Sequence, residues 1–241
     1  MNNIPPGHTT QPKTKEDLLI LIEAEMALSG DQCDLNHIDV SRITDFSYLF
    51  YFSKFNGDIS NWNVSGASNM CLMFSNAEFN GDISGWDVSG ASDMRSMFSN
   101  AEFNGDVSRW NISSVKSIGF MFCRSRFNGD ISKWDTSNVK DMDCAFFGSM
   151  FSGNISRWDV SSLENMAAMF GESKFYGDIS SWNLCSVSHD ESVFIRSNMA
   201  RKLGINDPSF EQVKSHFLSL QLEEAFDGCV SGQIKVSKVR L

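Results

Sequence analysis

The sequence has no apolar run approaching the ~18 residues that a membrane-spanning helix requires. Leu18–Ile22, inside an acidic amphipathic stretch, is the longest candidate near the N-terminus. Residues Met1–Lys15 lack the basic-then-apolar layout of a secretory leader, so a cytoplasmic location without membrane insertion is expected. Basic charge is scarce: 20 Lys and Arg against 30 Asp and Glu leave a formal net charge of −10 over 241 residues. That balance excludes a general nucleic-acid binder, and direct nucleic-acid binding is not expected. The cysteines Cys33, Cys71, Cys123, Cys144, Cys185 and Cys229 contain no C-x-x-C pair and no regular spacing. They read as reduced thiols filling small apolar sites. The histidines His8, His37, His189 and His216 are equally scattered, which argues against a zinc site. A Walker A loop, H-E-x-x-H, G-x-S-x-G and the dinucleotide fingerprint are all missing. Catalytic residues, a metal and a cofactor are therefore not expected.

What the chain does have is a period. Trp62, Trp86, Trp110, Trp134, Trp158 and Trp182 stand 24 residues apart. Phe55, Phe79, Phe103, Phe127, Phe151 and Phe175 keep the same beat, as do Gly57, Gly81, Gly105, Gly129, Gly153 and Gly177. A weaker unit carrying Asp34, Leu35, Ile38, Val40, Phe46, Leu49 and Phe50 precedes them, so seven units cover residues 31–196. Within one unit, Phe55-Asn56-Gly57-Asp58 is turn chemistry, with glycine available for positive φ. Trp62 and Val64 alternate around polar Asn63, the spacing of a short half-buried strand. Met70, Met73 and Phe74 fall at i, i+3 and i+4, the spacing of a short helix. One unit cannot bury its apolar side alone, and stacking the units buries all of them in a continuous core. The fold class expected is an α/β repeat solenoid, a leucine-rich-repeat-like stack of about seven strand–helix coils.

The run F-N-G-D-I-S-x-W-D-V-S-x-x-x-x-M-x-x-M-F resembles the BspA-like leucine-rich repeats of bacterial surface proteins and mycoplasma lipoproteins. The resemblance covers about residues 31–196. It departs from many leucine-rich repeats at Ala67, Ala91, Val115, Val139 and Leu163, where those repeats place an asparagine ladder. The resemblance implies protein binding or adhesion and supplies no catalytic residue.

The ends differ from the repeat. Residues 1–13, with Pro5, Pro6 and Pro12, are expected to be disordered. Thr14-Lys15-Glu16-Asp17 opens a capping helix over residues 14–30 that stops at Gly30. Asp207-Pro208 starts a second helical segment within a C-terminal cap of residues 197–228, ended by Asp227-Gly228. Residues 229–241 form a basic strand or frayed tail, or a peptide in which Lys235, Lys238 and Arg240 dock on a partner.

Acidity belongs to the repeats, which hold twelve bases and twenty-one acids. One column follows the turn glycine: Asp34, Asp58, Asp82, Asp106, Asp130, Asn154 and Asp178. Its repulsion is expected to be offset by backbone N–H groups within each turn. A second column is read as the outward residue of each strand: Asp39, Asn63, Asp87, Asn111, Asp135, Asp159 and Asn183. Beside it stand Asn61, Gly85, Arg109, Lys133, Arg157 and Ser181, whose cations can pair with Asp135 and Asp159. Asn61, Asn63, Asp87, Arg109, Asn111, Lys133, Asp135, Arg157, Asp159 and Asn183 are thus the expected protein-binding face, a rigid polar ledge of interface size. The function expected is a non-enzymatic protein-binding module. Two alternatives stand beside it: a phage- or mobile-element-encoded inhibitor of a nucleic-acid-handling defence enzyme, and a host-facing adhesin or secreted effector.

Overall fold

Three polar side chains per unit bend the backbone, and this decides the architecture. In the second unit, Asp58 Oδ1 accepts the N–H of Ser60 at 2.9 Å, Asn63 Oδ1 that of Ser65 at 3.2 Å, and Asn69 Oδ1 that of Cys71 at 3.0 Å. Each is an Asx turn, in which a short side chain replaces a main-chain acceptor. These bends stand five and six residues apart, and the run after Asn69 is broken by further backbone turns, so no segment stays straight long enough to become a strand. The computed structural model describes residues 10–238, with side chains to residue 226, and shows what forms instead.

Residues 31–196 are a stack of coils built from consecutive turns. Among the described residues of this stretch there is neither an α-helix nor a named strand, so the expected α/β solenoid of strand–helix coils is not what the chain adopts. Strand-type pairing among these described residues comes as isolated parallel bridges, one joining Asp34 to Asp58 and a series joining Asp45, Asn69, Asp93, Ser117, Asp141, Asn165 and His189 in sequence. The M-x-x-M-F run is not a helix because its N–H groups point elsewhere. Met70, Leu72, Phe74 and Asn76 donate to Asp93, Arg95, Met97 and Ser99 of the next coil, at 2.8–2.9 Å. Met73, Ser75 and Ala77 donate three residues back, closing successive turns. Leu72 and Asn76 have φ of 60° and 58°, a left-handed conformation that no α-helix contains. In the turns closed by Met73 and Ala77 only the third residue has positive φ, which makes them type II turns. The same two positions are left-handed in every coil, from Tyr48 and Phe52 to Ser192 and Arg196.

The repeat glycines have a different reason from the one their turn setting suggests. Gly81 is not at positive φ. A Cβ there would lie 2.8 Å from Cε2 of Phe79 and 3.2 Å from the carbonyl oxygen of Gly57 in the coil below. The phenylalanine ring folds back over the glycine two residues on, and only a hydrogen atom fits beneath it.

The interior is a set of stacked columns. Phe74 lies 5.6 Å from Phe98 and Phe98 5.8 Å from Phe122, ring centre to ring centre and nearly parallel. A second phenylalanine column, Phe79 to Phe103 to Phe127, repeats at 6.3 and 6.4 Å. Such pairs add about 0.5–1.5 kcal/mol each beyond burial alone. Each tryptophan is buried, and its indole N–H reaches a carbonyl of the preceding coil: Trp86 to Ile59 at 3.1 Å, Trp110 to Ile83 at 3.1 Å, Trp134 to Val107 at 3.0 Å. The column thus combines apolar bulk with a satisfied polar tip.

Helix α1, Lys15–Ser29, closes the first coil through Leu18 and Ile22. Thr14 and Asp17 form a capping box at its start, and Gly30 at φ 83° ends it. Residues 10–13 are ordered, contrary to a fully disordered start: Thr10 bridges Ile38, Gln11 donates to Asp39, and Pro12 is buried. The remainder of that expected segment, residues 1–9, lies outside the described residues. At the other end stand α2, Asn198–Leu203, and α3, Phe210–Lys238. Val213 and Phe217 of α3 are buried against the last coil, and Tyr176 Oη meets His216 Nε2 at 2.7 Å. The helix does not stop at Asp227-Gly228 but runs on to Lys238, so Lys235 and Lys238 are helical rather than part of a strand or tail. Arg240 lies outside the described residues.

Candidate functional site

The turn columns hold their carboxylates in place. Asp82, Asp106 and Asp130 each accept a backbone N–H from the serine two residues on, at 2.9 Å. Those backbone bonds, and the serine hydroxyls after them, hold all three below the usual carboxylate range. Asp87, Asp135 and Asp159 are held low in the same way, with the hydroxyls of Ser89, Ser137 and Ser161 contributing most. Neighbouring carboxylates therefore stay ionised in a stack because each is solvated by its own turn.

These contacts revise the expected binding face. Asn63, Asp87, Asn111, Asp135, Asp159 and Asn183 are not outward residues of a strand; they are turn formers with one oxygen engaged. Their side chains, and those of Asn61, Arg109, Lys133 and Arg157, are all exposed. Arg109, Lys133 and Arg157 form no ion pair with Asp135 or Asp159; the ion pairs of the stack lie elsewhere, as at Lys140–Glu164 (2.7 Å) and Arg126–Glu102 (2.8 Å). Arg109 and Lys133 instead favour the ionised forms of Asp106 and Asp130 in their own coils.

Another face carries a groove of about 1130 Å³ lined by Asn56, Glu78, Asn80, Glu102, Asn104, Arg126, Asn128 and Met150. An asparagine ladder forms its floor: the N–H groups of Asn80, Asn104 and Asn128 donate to Oδ1 of Asn56, Asn80 and Asn104 at 2.7–2.8 Å. The ladder absent from the position common in leucine-rich repeats is thus present beside the turn glycine.

Sequence reasoning passed over a third feature, on the first coil. Tyr48, Tyr51 and Phe52 are 52%, 42% and 65% exposed and form an aromatic cluster. Tyr51 meets Tyr48 edge-on at 5.4 Å and Phe52 edge-on at 4.6 Å. Lys15 of α1 lies 6.0 Å from the Tyr48 ring centre and is tied to Ser47 Oγ at 2.8 Å. In the six later coils the positions of Tyr51 and Phe52 hold Ser75-Asn76, Ser99-Asn100, Cys123-Arg124, Phe147-Gly148, Gly171-Glu172 and Ile195-Arg196. The position of Phe52 is left-handed, φ 54°, where Asn or Gly is favoured and a bulky residue costs about 1–2 kcal/mol. Phe147 shows that a single aromatic can occupy the first of these positions, so the available signal was the adjacent aromatic pair Tyr51-Phe52.

Four of the thiols are held in the protonated form. Burial pushes Cys33, Cys71 and Cys123 up, and burial with the neighbouring Asp143 carboxylate pushes Cys144 up to about 12. Among the described residues, no three His, Cys, Asp or Glu side chains gather as a metal-binding group. None of the described helices is long and apolar enough to cross a membrane.

A family profile described as "Mycoplasma protein of unknown function, DUF285" matches residues 24–126 and again residues 102–206. The curated proteins and the solved structures contain no match to the chain. The two overlapping matches fall on the stacked coils and their junctions with the end helices, and the chain belongs to this mycoplasma-type repeat family.

Proposed function

We propose that this protein is a non-enzymatic protein-binding module that docks its partner on the Tyr48–Tyr51–Phe52 cluster. The observation that carries the reading is the cluster of three exposed aromatic side chains on the first coil, where no later coil holds an aromatic pair at the positions of Tyr51 and Phe52. Tyrosine and other aromatic side chains dominate the energetics of protein interfaces. Fully burying one such ring contributes roughly 1.5–3 kcal/mol, more than the backbone conformation at Phe52 costs. The likeness of the repeat to BspA-like surface-protein repeats supports the same class of role. The exposed cations Arg109, Lys133 and Arg157, with Asp135 and Asp159, form a second polar surface available to a large partner.

The test uses the repeat's own residues. Tyr51→Ser with Phe52→Asn converts the first coil to the pattern of the second and third, which keeps the turn. Affinity capture by the native chain, followed by mass spectrometry, names the partner. The double variant is expected to lose it while retaining the native melting curve. Arg109→Glu, Lys133→Glu and Arg157→Glu together are expected to weaken capture without abolishing it. Capture unaffected by the aromatic variant but abolished by charge reversal would move the site to the polar face. Catalytic turnover of a captured partner would overturn the non-enzymatic reading.

A further inference from the structure

The asparagine ladder engages only one end of each side-chain amide. Oδ1 of Asn56, Asn80, Asn104 and Asn128 accepts a backbone N–H of the next coil, the last from Ser152 at 2.8 Å. A backbone N–H can bond only to the amide's oxygen, so these bonds fix how each amide is turned and leave its nitrogen unengaged. Among the described residues, no partner meets any of the four Nδ2 groups. The groove therefore holds a row of N–H donors, one per coil. Their pitch follows the phenylalanine that precedes each asparagine. Phe55, Phe79, Phe103 and Phe127 repeat at 6.0, 6.3 and 6.4 Å. Two residues of extended chain span ~6.4–6.8 Å, and one edge of such a chain shows one carbonyl in that interval.

We propose that this groove binds an extended peptide laid along the stack, with one carbonyl of its edge on each asparagine amide. Alternate side chains of the peptide then face one wall, which Glu78, Glu102, Arg126 and Met150 supply coil by coil. Charge selects the occupant. Glu102 is engaged by Arg126 at 2.8 Å, whereas Glu78, also exposed, meets no cation among the described residues. At the other end Met150 is 50% exposed. Glu78 and Met150 stand three coils apart, and at two peptide residues per coil the side chains that face them are about six positions apart. The occupant is thus a segment with Lys or Arg at one end and an apolar residue six positions away. The two carboxylates repel a phosphate backbone, and no aromatic side chain lines the groove for a base to stack on. No lining residue belongs to the aromatic cluster, and the groove takes its peptide independently of it.

Selection from a random peptide library on the full chain tests it. The selected peptides are expected to carry Lys or Arg six positions from an apolar residue, and a synthetic copy of the commonest to bind in calorimetry. Moving its apolar residue by one position turns that side chain to the opposite face and is expected to abolish binding. Glu78→Lys is expected to weaken binding by about tenfold or more, and a peptide with Glu in place of its basic residue to recover it on that variant. Asn104→Asp keeps the ladder's acceptor and removes only the Nδ2 donor. It is expected to keep the native melting curve and to weaken binding at every salt concentration. Tyr51→Ser with Phe52→Asn is expected to leave binding unchanged. Selection of no peptide, or of peptides without the spacing, would overturn the proposal. So would binding indifferent to both Glu78→Lys and Asn104→Asp, or binding lost in the aromatic variant. An oligosaccharide or oligonucleotide that binds where peptides do not would overturn it too.

Discussion

Replacing Gly81 by alanine should destabilise the stack, and replacing Gly85, four residues on, should not. The two glycines lie in the same coil, and neither has positive φ. A Cβ on Gly81 would stand 2.8 and 3.0 Å from Cε2 and Cζ of Phe79 and 3.2 Å from Gly57 O, whereas one on Gly85 meets nothing within 4 Å. Relief requires a shift of about half an ångström. The Phe79 ring cannot readily give way: it is fully buried and stacked on Phe74 at 4.4 Å and on Phe103 at 6.3 Å. Overpacking of this kind costs about 1–3 kcal/mol. Against it stands roughly 0.4–1 kcal/mol gained by restricting the unfolded chain, the same gain that Gly85→Ala collects without a clash. The expected outcome is a net loss of about 1–2 kcal/mol for Gly81→Ala and a small gain for Gly85→Ala. At about 2–4 °C per kcal/mol for a chain of this size, thermal melting resolves the difference. Gly81→Asn separates the causes. Were the glycine needed for a left-handed turn, asparagine would be tolerated; because the contact is steric, asparagine should be at least as harmful as alanine. A Gly81→Asn chain as stable as the native one would refute the reasoning.

Trp110→Phe removes the indole N–H that donates to Ile83 O at 3.1 Å and leaves a void in a buried column. A loss of about 1.5–3 kcal/mol is expected in urea unfolding, with little effect from the same change made at an exposed aromatic such as Tyr51. Acid should loosen the stack from the turns outward. Asp58, Asp82, Asp106 and Asp130 sit below their ordinary pKa in the folded chain, chiefly through backbone N–H bonds from Ser60, Ser84, Ser108 and Ser132. Their contribution is therefore present above the unfolded value and lost as pH falls through the depressed folded values. Urea midpoints measured from pH 6 downward should decline through and below the usual carboxylate range. The decline should be shallower in Asp106→Asn, which copies the residue at Asn154; an identical slope would mean the turn bond does not shift the titration.

The period and the burial pattern were legible from spacing alone. The tryptophan, phenylalanine and methionine columns had to be interior because no single unit could cover them, and Trp86, Phe79 and Met94 are indeed buried. The carboxylates after the turn glycine were legible for a local reason, since an Asx turn involves only two residues of separation. The secondary structure was not. Met70, Met73 and Phe74 at i, i+3 and i+4 satisfy a helix face, but a chain of overlapping four-residue turns buries the same three side chains. Likewise Trp62 and Val64 alternate with exposed Asn63 as in a strand, although the backbone turns on both sides. Periodicity reports which side chains go inside; it does not report where the N–H groups go.

The sequence by itself determined that the chain is a stack of 24-residue units with an aromatic interior, because identical apolar sets recurring at a fixed interval can be covered only by one another. Tertiary structure alone decided the conformation of each coil. The amides of Met70, Leu72, Phe74 and Asn76 bond to carbonyls 23 residues further on, and those partners exist only once the next coil is in place. Stacking also fixes the Phe79 ring over Gly81, which makes that glycine a matter of space under a ring rather than of backbone freedom, while Tyr51 and Phe52 stay exposed on the first coil.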